Sequence, residues 1–310
     1  MIHQRTISKA AAFSGTALHC GQYVTVTVLP APDNSGIIFV RMDLSPQSEI
    51  RAIAGNVSDT SFATSLAIGE GAGRFSISTV EHLLAAAASI GLDNLRIEVD
   101  GPEIPILDGS AQPFLDSFSE SGARRQQKLR RFLVIKKKVE VIEGNQVARI
   151  EPSAEPIVTC SIDFDHPLVP TNPYTFTVSE QSFRHEIAPA RTFGFLKDVD
   201  ELRARGLALG ASVDNAVVIE GDGVLNPGGL RFSNEFVRHK ILDAIEDLSL
   251  LGIPFVGAVT LHRSGHRLNL RLVQAILADS STHEIQLGGT PTTRASNTHL
   301  YEMKCAIIWV

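Results

Sequence analysis

Hydrophobic and polar positions along this chain follow two periods, and the alternation between them recurs. From residue 4 to residue 42 the period is two: Val24, Val26 and Val28 interleave with Thr25, Thr27 and Leu29, residues 30–36 turn, and residues 37–40 return. Strand side chains point alternately to opposite faces, so this is the pattern of a half-buried antiparallel meander. At Ser78, Thr79, Val80 and Glu81 the Ser-x-x-Glu spacing of a capping box precedes an aliphatic run that ends at Gly91. That combination predicts a helix over about 79–90. Residues 95–99 alternate as a strand, residues 101–105 turn, and Asp108-Gly109-Ser110 opens a second helix reaching about 119.

The order is then repeated. Residues 132–142, 148–150, 157–164 and 174–178 read as strands, a long helix over about 235–251 stops at Gly252, residues 255–261 read as a strand, and residues 266–278 as a second helix. Laid over one another, the helices ending at Gly91 and Gly252 put His82 and Asp243 in equivalent places. So distant a period implies duplicated domains rather than a solenoid. The expected fold is therefore α+β, with two similar domains, each a strand-rich layer packed with two helices, whose helices meet at a shared site. The first domain spans 1–125 and the second 132–279, joined at 126–131 within the charged, Gln-rich stretch 124–131. A segment at about 191–225 has no counterpart in the first half. It reads as a short helix and strand with a hairpin turn at Asp222-Gly223. The glycine cluster at 69–73 has no strand feeding it and no helix after it, and reads as a turn rather than a phosphate loop. Residues 280–310, rich in Ser and Thr and ending Ile307-Ile308-Trp309-Val310, form a tail that is either an added strand or an extension.

Bulk properties narrow the function classes. The 310 residues, 44% hydrophobic, suffice for two cores. A net charge of -6 without a long basic run argues against a nucleic-acid partner. Cys20, Cys160 and Cys305 are too few and too scattered for a disulfide framework or a thiolate zinc site. Neither a signal peptide nor an integral membrane segment is recognisable, so a cytoplasmic protein acting on a small molecule is expected.

The chemistry concentrates on the long second helix. His239, Asp243 and Asp247 are spaced four apart and form one stripe, opposite a stripe of Val237, Ile241, Ala244, Ile245 and Leu248. Imidazole and carboxylate one turn apart can ligate a single divalent metal. Taken alone, such a stripe, with Lys240 and Glu246 beside it, is more often the solvated face of an amphipathic helix. Glu81 reads on its own first as a capping side chain, although a carboxylate beside the candidate ligand His82 is also where a general base belongs. His266, in Ser-Gly-His before a helix, reads alone as a turn or cap residue.

Three blocks stand together in order: Ser78-Thr79-Val80-Glu81-His82-Leu83, Arg191-Thr192-Phe193-Gly194-Phe195, and residues 236–244 followed by Ser264-Gly265-His266. Gly15-Thr16-Ala17-Leu18-His19, Asp93-Asn94 and residues 102–110 add to them. The combination resembles the UDP-3-O-acyl-N-acetylglucosamine deacetylases, zinc amidases that commit carbon to lipid A, from about residue 3 to 279. The resemblance implies His82, His239 and Asp243 as zinc ligands, with iron(II) suited to the same donors. It implies Glu81 as general base, Thr192 as an oxyanion partner, and His266, oriented by Asp247, as the acid that protonates the leaving amine. It further implies that the 191–225 segment forms an acyl-chain passage approached by Phe193, Phe195, Leu18 and Phe62, with Lys240 and His19 toward the nucleotide diphosphate. Relatives often carry Cys near position 63, where this chain has Ala63 and so lacks that contact to the metal. A catalytically inactive nucleotide-sugar or lipid binder, or a structural metal site, are the alternatives; Glu81, Thr192 and His266 together count against both. Acyl-chain length and oligomeric state are not written in the pattern.

Overall fold

The computed structural model describes residues 1–45, 47–71 and 74–289. The alternation in the first half places Val24, Val26 and Val28 under a sheet while Thr25 faces solvent. That sheet contains β1 (Ala11–Thr16), β2 (Tyr23–Pro30), β3 (Ile37–Arg41), β4 (Glu49–Arg51) and β5 (Leu95–Val99), in the order β1-β2-β5-β3-β4. The second sheet contains β6 (Val139–Glu143), β7 (Gln146–Glu151), β8 (Ile157–Ser161), β9 (Tyr174–Thr177) and β10 (Ala258–His262), in the order β6-β7-β10-β8-β9. Both sheets therefore have the order first, second, fifth, third, fourth. In both, the third and fifth strands alone are parallel neighbours. The duplication read from sequence is thus a duplication of topology.

Helix α1 (Glu81–Ser89) precedes β5 and α2 (Gln112–Ser121) follows it; α3 (Glu235–Ser249) precedes β10 and α4 (His266–Ala278) follows it. Helices α1 and α3 pack on one another, α2 lies on α1 and β1, and α4 lies on α3 and on β6 and β7. One hydrophobic core runs through both units, from Leu83 and Leu84 to Ile241, Leu242 and Leu272. Because α1 covers it, the polar stripe of α3 is not a solvated face: His239, Asp243, Glu246 and Asp247 are all buried. Among the described residues no helix is long and apolar enough to cross a membrane.

Several boundaries differ from the sequence reading for physical reasons. The capping box at Ser78 does not form. Helix α1 begins at Glu81 with no side-chain cap, and Thr79 sits at φ 57°. Its hydroxyl donates to Glu103, which also accepts from the backbone N–H groups of His19 and Cys20, at 2.8–2.9 Å. Glu81 is thereby left to face inward. Asp108-Gly109-Ser110 is a turn before α2 rather than its first turn. Gly109, at φ 84°, runs so close to Asn215 that a Cβ would lie 2.1 Å from its carbonyl oxygen.

The expected strand over 132–142 is split between Arg131–Ile135 and β6, which belong to different sheets. The charged stretch around 126–131 is largely strand, since Ala123–Leu129 pairs with His3–Ile7. Part of the tail is also built in: His283–Leu287 pairs antiparallel with Arg131–Ile135. Residues 290–310, and residues 72–73 of the glycine cluster, lie outside the described residues.

The segment at 191–225 forms a small sheet, Phe193–Phe195 parallel to Val217–Glu220, which turns back through Gly223–Val224. The pairing of Glu220 with Gly223 makes Gly221-Asp222 the turn, one residue earlier than expected, with Gly221 supplying φ 54°. A buried ion pair fixes this segment to α3. Arg191 donates to Glu235 through its backbone N–H (3.0 Å), Nε (2.8 Å) and a terminal guanidinium nitrogen (3.2 Å), and Arg231 N–H adds a fourth bond at 2.6 Å. Glu235 is fully buried. Removing one partner of such a pair leaves a desolvated charge, so Arg191→Met is expected to lower the unfolding free energy by about 3–5 kcal/mol, read as a shifted urea midpoint; an unchanged midpoint would show that the pair is not structural.

Candidate metal centre and active site

The packing of α1 on α3 sets His82, His239 and Asp243 together, each with a ligand atom within 4.8 Å of the others. The two imidazoles meet edge to face, ring centroids 5.0 Å apart, and His239 Nε2 lies 3.4 Å from Asp243 Oδ1. His239 Nδ1 is 3.0 Å from the Ala190 carbonyl, which can only accept, so Nδ1 carries the proton and Nε2 presents its lone pair. His82 Nδ1 is buried with no hydrogen-bond partner. Burial, reinforced by His239, drives the His82 pKa down to about 3, and burial also lowers that of His239. Both imidazoles are thus neutral, the form a metal binds. Burial opposes ionisation of Asp243, but Lys240 (Nζ to Oδ2, 2.7 Å) and the neighbouring histidines outweigh it and hold the carboxyl well below its usual range. Two neutral imidazoles and one carboxylate, one imidazole nitrogen lacking any partner, fit a divalent metal with a position left over.

A second buried cluster abuts the first. Glu81, at the start of α1, accepts from Thr64 N–H at 3.2 Å, and burial raises its pKa to about 7 although His266 opposes the shift. His266, at the start of α4, presents Nδ1 to both Asp247 oxygens at 3.1 and 3.2 Å, while its Nε2 lies 3.9 Å from Asp243. Burial would neutralise this imidazole, but Asp247 and Asp243 prevail and lift its pKa to about 9. Asp247 is itself held by Asn269 Nδ2 at 2.8 Å, and Asn269 by Ser264 Oγ at 2.6 Å. The turn and cap readings of Glu81 and His266 are therefore replaced by buried, opposed ionisable groups, one from each unit. Thr64, Glu246, Asn269 and Ser264 escaped the sequence reading. Thr64 lies in a loop with no period to mark it, and Glu246 looked like one more surface charge.

The remaining site residues come from the 191–225 segment and its neighbours. Thr192 follows directly on Arg191 and is held by its backbone, N–H to Gly109 O and carbonyl to Val217 N–H, both at 2.8 Å. Phe193 stacks edge to face on Phe236 at 4.9 Å and lies 6.5 Å from the His239 ring, with Lys240 Nζ 5.8 Å from its centroid. Phe195, Leu196, Ile219 and His166 line a cavity of about 410 Å³. Leu18 and His19 accept backbone bonds from Gly210 and Leu209, and Phe62 lies under the Arg205 guanidinium at 5.0 Å. Leu18, His19 and Phe62 thus gather on the Arg205–Gly210 side of the segment, and Phe193 on the metal side. A larger cavity of about 520 Å³ lies toward the other end of α1 and α3, lined by Leu84, Ala88, Ile245 and Leu248, and includes none of these residues.

Known proteins share this chain's sequence over nearly its full length. The model of the LpxC family, UDP-3-O-acyl N-acetylglycosamine deacetylase, matches residues 4–278. A UDP-3-O-acyl-N-acetylglucosamine deacetylase of Anaeromyxobacter sp. (strain Fw109-5) is 50% identical over 283 residues, 91% of each chain. That of Myxococcus xanthus (strain DK1622) is 47% identical over 283 residues, covering 91% of this chain and 89% of its own. That of Syntrophotalea carbinolica is 45% identical over 296 residues, covering 96% and 94%. With the match spanning both duplicated units and every element that carries the buried polar clusters, the chain belongs to the UDP-3-O-acyl N-acetylglycosamine deacetylase family.

Proposed function

We propose that this chain hydrolyses the N-acetyl group of UDP-3-O-acyl-N-acetylglucosamine, giving UDP-3-O-acyl-glucosamine and acetate for lipid A biosynthesis, with zinc bound by His82, His239 and Asp243. The observation that carries the reading is the juxtaposition of that donor triad with Glu81 and His266, a base and an acid supplied by different units. A structural zinc takes four protein donors, whereas the triad offers three. Iron(II) suits the same donors and remains an alternative metal.

When bound, the metal supplies Lewis acidity toward the amide carbonyl and acidifies water near neutral pH. The rest is the work of side chains. Glu81, poised near neutrality by burial, takes a proton from the attacking water as its oxygen bonds to the carbonyl carbon. Thr192, two residues beyond the Ala190 carbonyl that holds His239, offers a hydroxyl to the oxyanion that develops. His266, kept as imidazolium by Asp247, gives a proton to the nitrogen as the C–N bond breaks, so acetate departs and the sugar retains a neutral amine. Phe193 and Phe195 supply an aromatic wall along which the fatty acyl chain lies, at about 0.8 kcal/mol per buried methylene. Leu18 and Phe62 extend that approach, and Lys240 and His19 face the diphosphate.

The direct test is release of acetate and free amine from the acylated UDP-sugar, abolished by a chelator and restored by one equivalent of zinc. Retention of turnover in the metal-free protein would refute the reading. Glu81→Ala is expected to keep its metal and lose about 10²–10⁴ in kcat, measured alongside metal content; full activity would remove Glu81 from the mechanism. The pH dependence of kcat/KM should be bell-shaped. Activity rises as Glu81 loses its proton, at or below about pH 7, since a bound dication only favours the carboxylate; it falls as His266 loses its own proton, at or below about pH 9, since the same dication disfavours the imidazolium. His266→Gln should abolish the alkaline fall, and its persistence would assign that limb elsewhere.

A further inference from the structure

We propose that Thr64 and Glu246 form a hydrogen-bonded bridge between the two units that fixes the proton on His266 Nδ1 and holds Glu81 opposite it, making both positioning residues of the hydrolysis. The inference rests on the deacetylase reading above and adds two residues to it. Thr64 belongs to the first unit and is fully buried; its carbonyl accepts from Val80 N–H, while its own N–H and hydroxyl both point at the site. Its backbone N–H donates to Glu81 Oε2 at 3.2 Å. Its hydroxyl donates to Glu246 Oε2 at 3.0 Å and lies 3.2 Å from His266 Nδ1. A hydroxyl has one proton. With that proton committed to Glu246, the Thr64 oxygen has only lone pairs to offer His266, so Nδ1 must be the donor, shared between Thr64 and Asp247. The proton that moves in the reaction is therefore the one on Nε2, which faces Asp243 and the metal cluster.

Glu246 is what sets the direction of this chain. It is fully buried on α3, 3.9 Å from His266 Nδ1, and its Oε1 has no hydrogen-bond partner. The charged groups around it are Asp247 on its own helix, Glu81 from α1 and His266 from α4. Burial first, then Asp247 and Glu81, push its pKa well above the usual carboxyl range, so it is held as a neutral acid. A neutral acid accepts from Thr64 through its carbonyl oxygen without adding a third negative charge beside His266. An amide of the same shape can do the same, and a hydrocarbon cannot.

The experiment compares Thr64→Val, Thr64→Ser, Glu246→Gln, Glu246→Leu and the Thr64→Val/Glu246→Leu double variant, all zinc-loaded, with UDP-3-O-acyl-N-acetylglucosamine as substrate. Thr64→Val is expected to lose about ten- to a hundredfold in kcat with bound zinc unchanged and KM within about threefold, as losing a group that orients a reacting side chain does. Thr64→Ser and Glu246→Gln should each stay within about threefold of the unaltered protein, and Glu246→Leu should resemble Thr64→Val. The double variant should lose no more than the worse single, because both act through one hydroxyl. Wild-type kcat in Thr64→Val, multiplied losses in the double variant, or equal activity of Glu246→Gln and Glu246→Leu would each overturn the bridge. The last comparison decides the matter if Thr64→Val does not fold. Imidazole NMR gives a readout independent of turnover: the His266 Nδ1–H should be protected from exchange and lose that protection in Thr64→Val, and unchanged protection also overturns the bridge. An inert unaltered protein would instead refute the deacetylase reading, leaving the NMR comparison to judge the bridge.

Discussion

Packing α1 against α3 removes water from a set of ionisable side chains, and the rest of the structure accommodates that one contact. Glu81, His82, His239, Asp243, Glu246, Asp247 and His266 are all buried where the two units meet. The effective penalty for burying an unpaired ion is several kcal/mol. The groups therefore sort into forms that can coexist: neutral imidazoles at His82 and His239, imidazolium at His266, carboxylates paired with Lys240, His266 or Asn269, and carboxyls at Glu81 and Glu246 pushed toward neutrality. A divalent cation held by His82, His239 and Asp243 would relieve what remains. The chemistry is thus a property of the interface, and neither helix carries it alone.

Much of what surrounds the interface keeps these groups in register. Glu103, satisfied by three donors, ties the turn after β1 to Thr79 and so sets where α1 begins. Arg191 and Glu235 tie the start of the inserted segment to the start of α3, which delivers the Ala190 carbonyl to His239. Asn94 joins Gln4, Gly36 and Gln126, fastening the paired terminal strand to the first sheet. Several short motifs that resemble the deacetylases are therefore scaffold: Pro102 to Ser110 and Asp93-Asn94 hold backbone, while Glu81, His239 and His266 lie in the buried polar clusters.

The two identical sheet orders explain how one site draws on two units. Duplication places α1 and α3 in equivalent positions in the two units, and these two helices pack on one another. Divergence then distributed the roles. His82 and Asp243, equivalent in sequence, both fall in the cluster that could hold a metal ion, and only the second unit carries the small sheet bearing Phe193 and Phe195.

The sequence by itself determined the local periods, the duplication and the identity of the chemically capable residues. Val24, Val26 and Val28 announced a strand because alternation is a local property. His266–Ala278 was legible to its ends because Gly265 and the 3.6-residue spacing are local too. The motif blocks also sufficed to single out His82, His239 and Asp243, which the structure brings together, since each sits in a recognisable neighbourhood. Tertiary structure decided which polar residues were solvated. Glu246 and Lys240 follow the same helical rule as any surface charge, and only the covering α1, α4 and Thr64 loop make one of them a buried acid. It decided that Thr64, in a loop with no period, lies between Glu81 and His266, and that Thr79 turns to Glu103 instead of capping its helix. Those outcomes depend on what packs against a residue, and a linear pattern records which residues can be buried but not which distant surface will bury them.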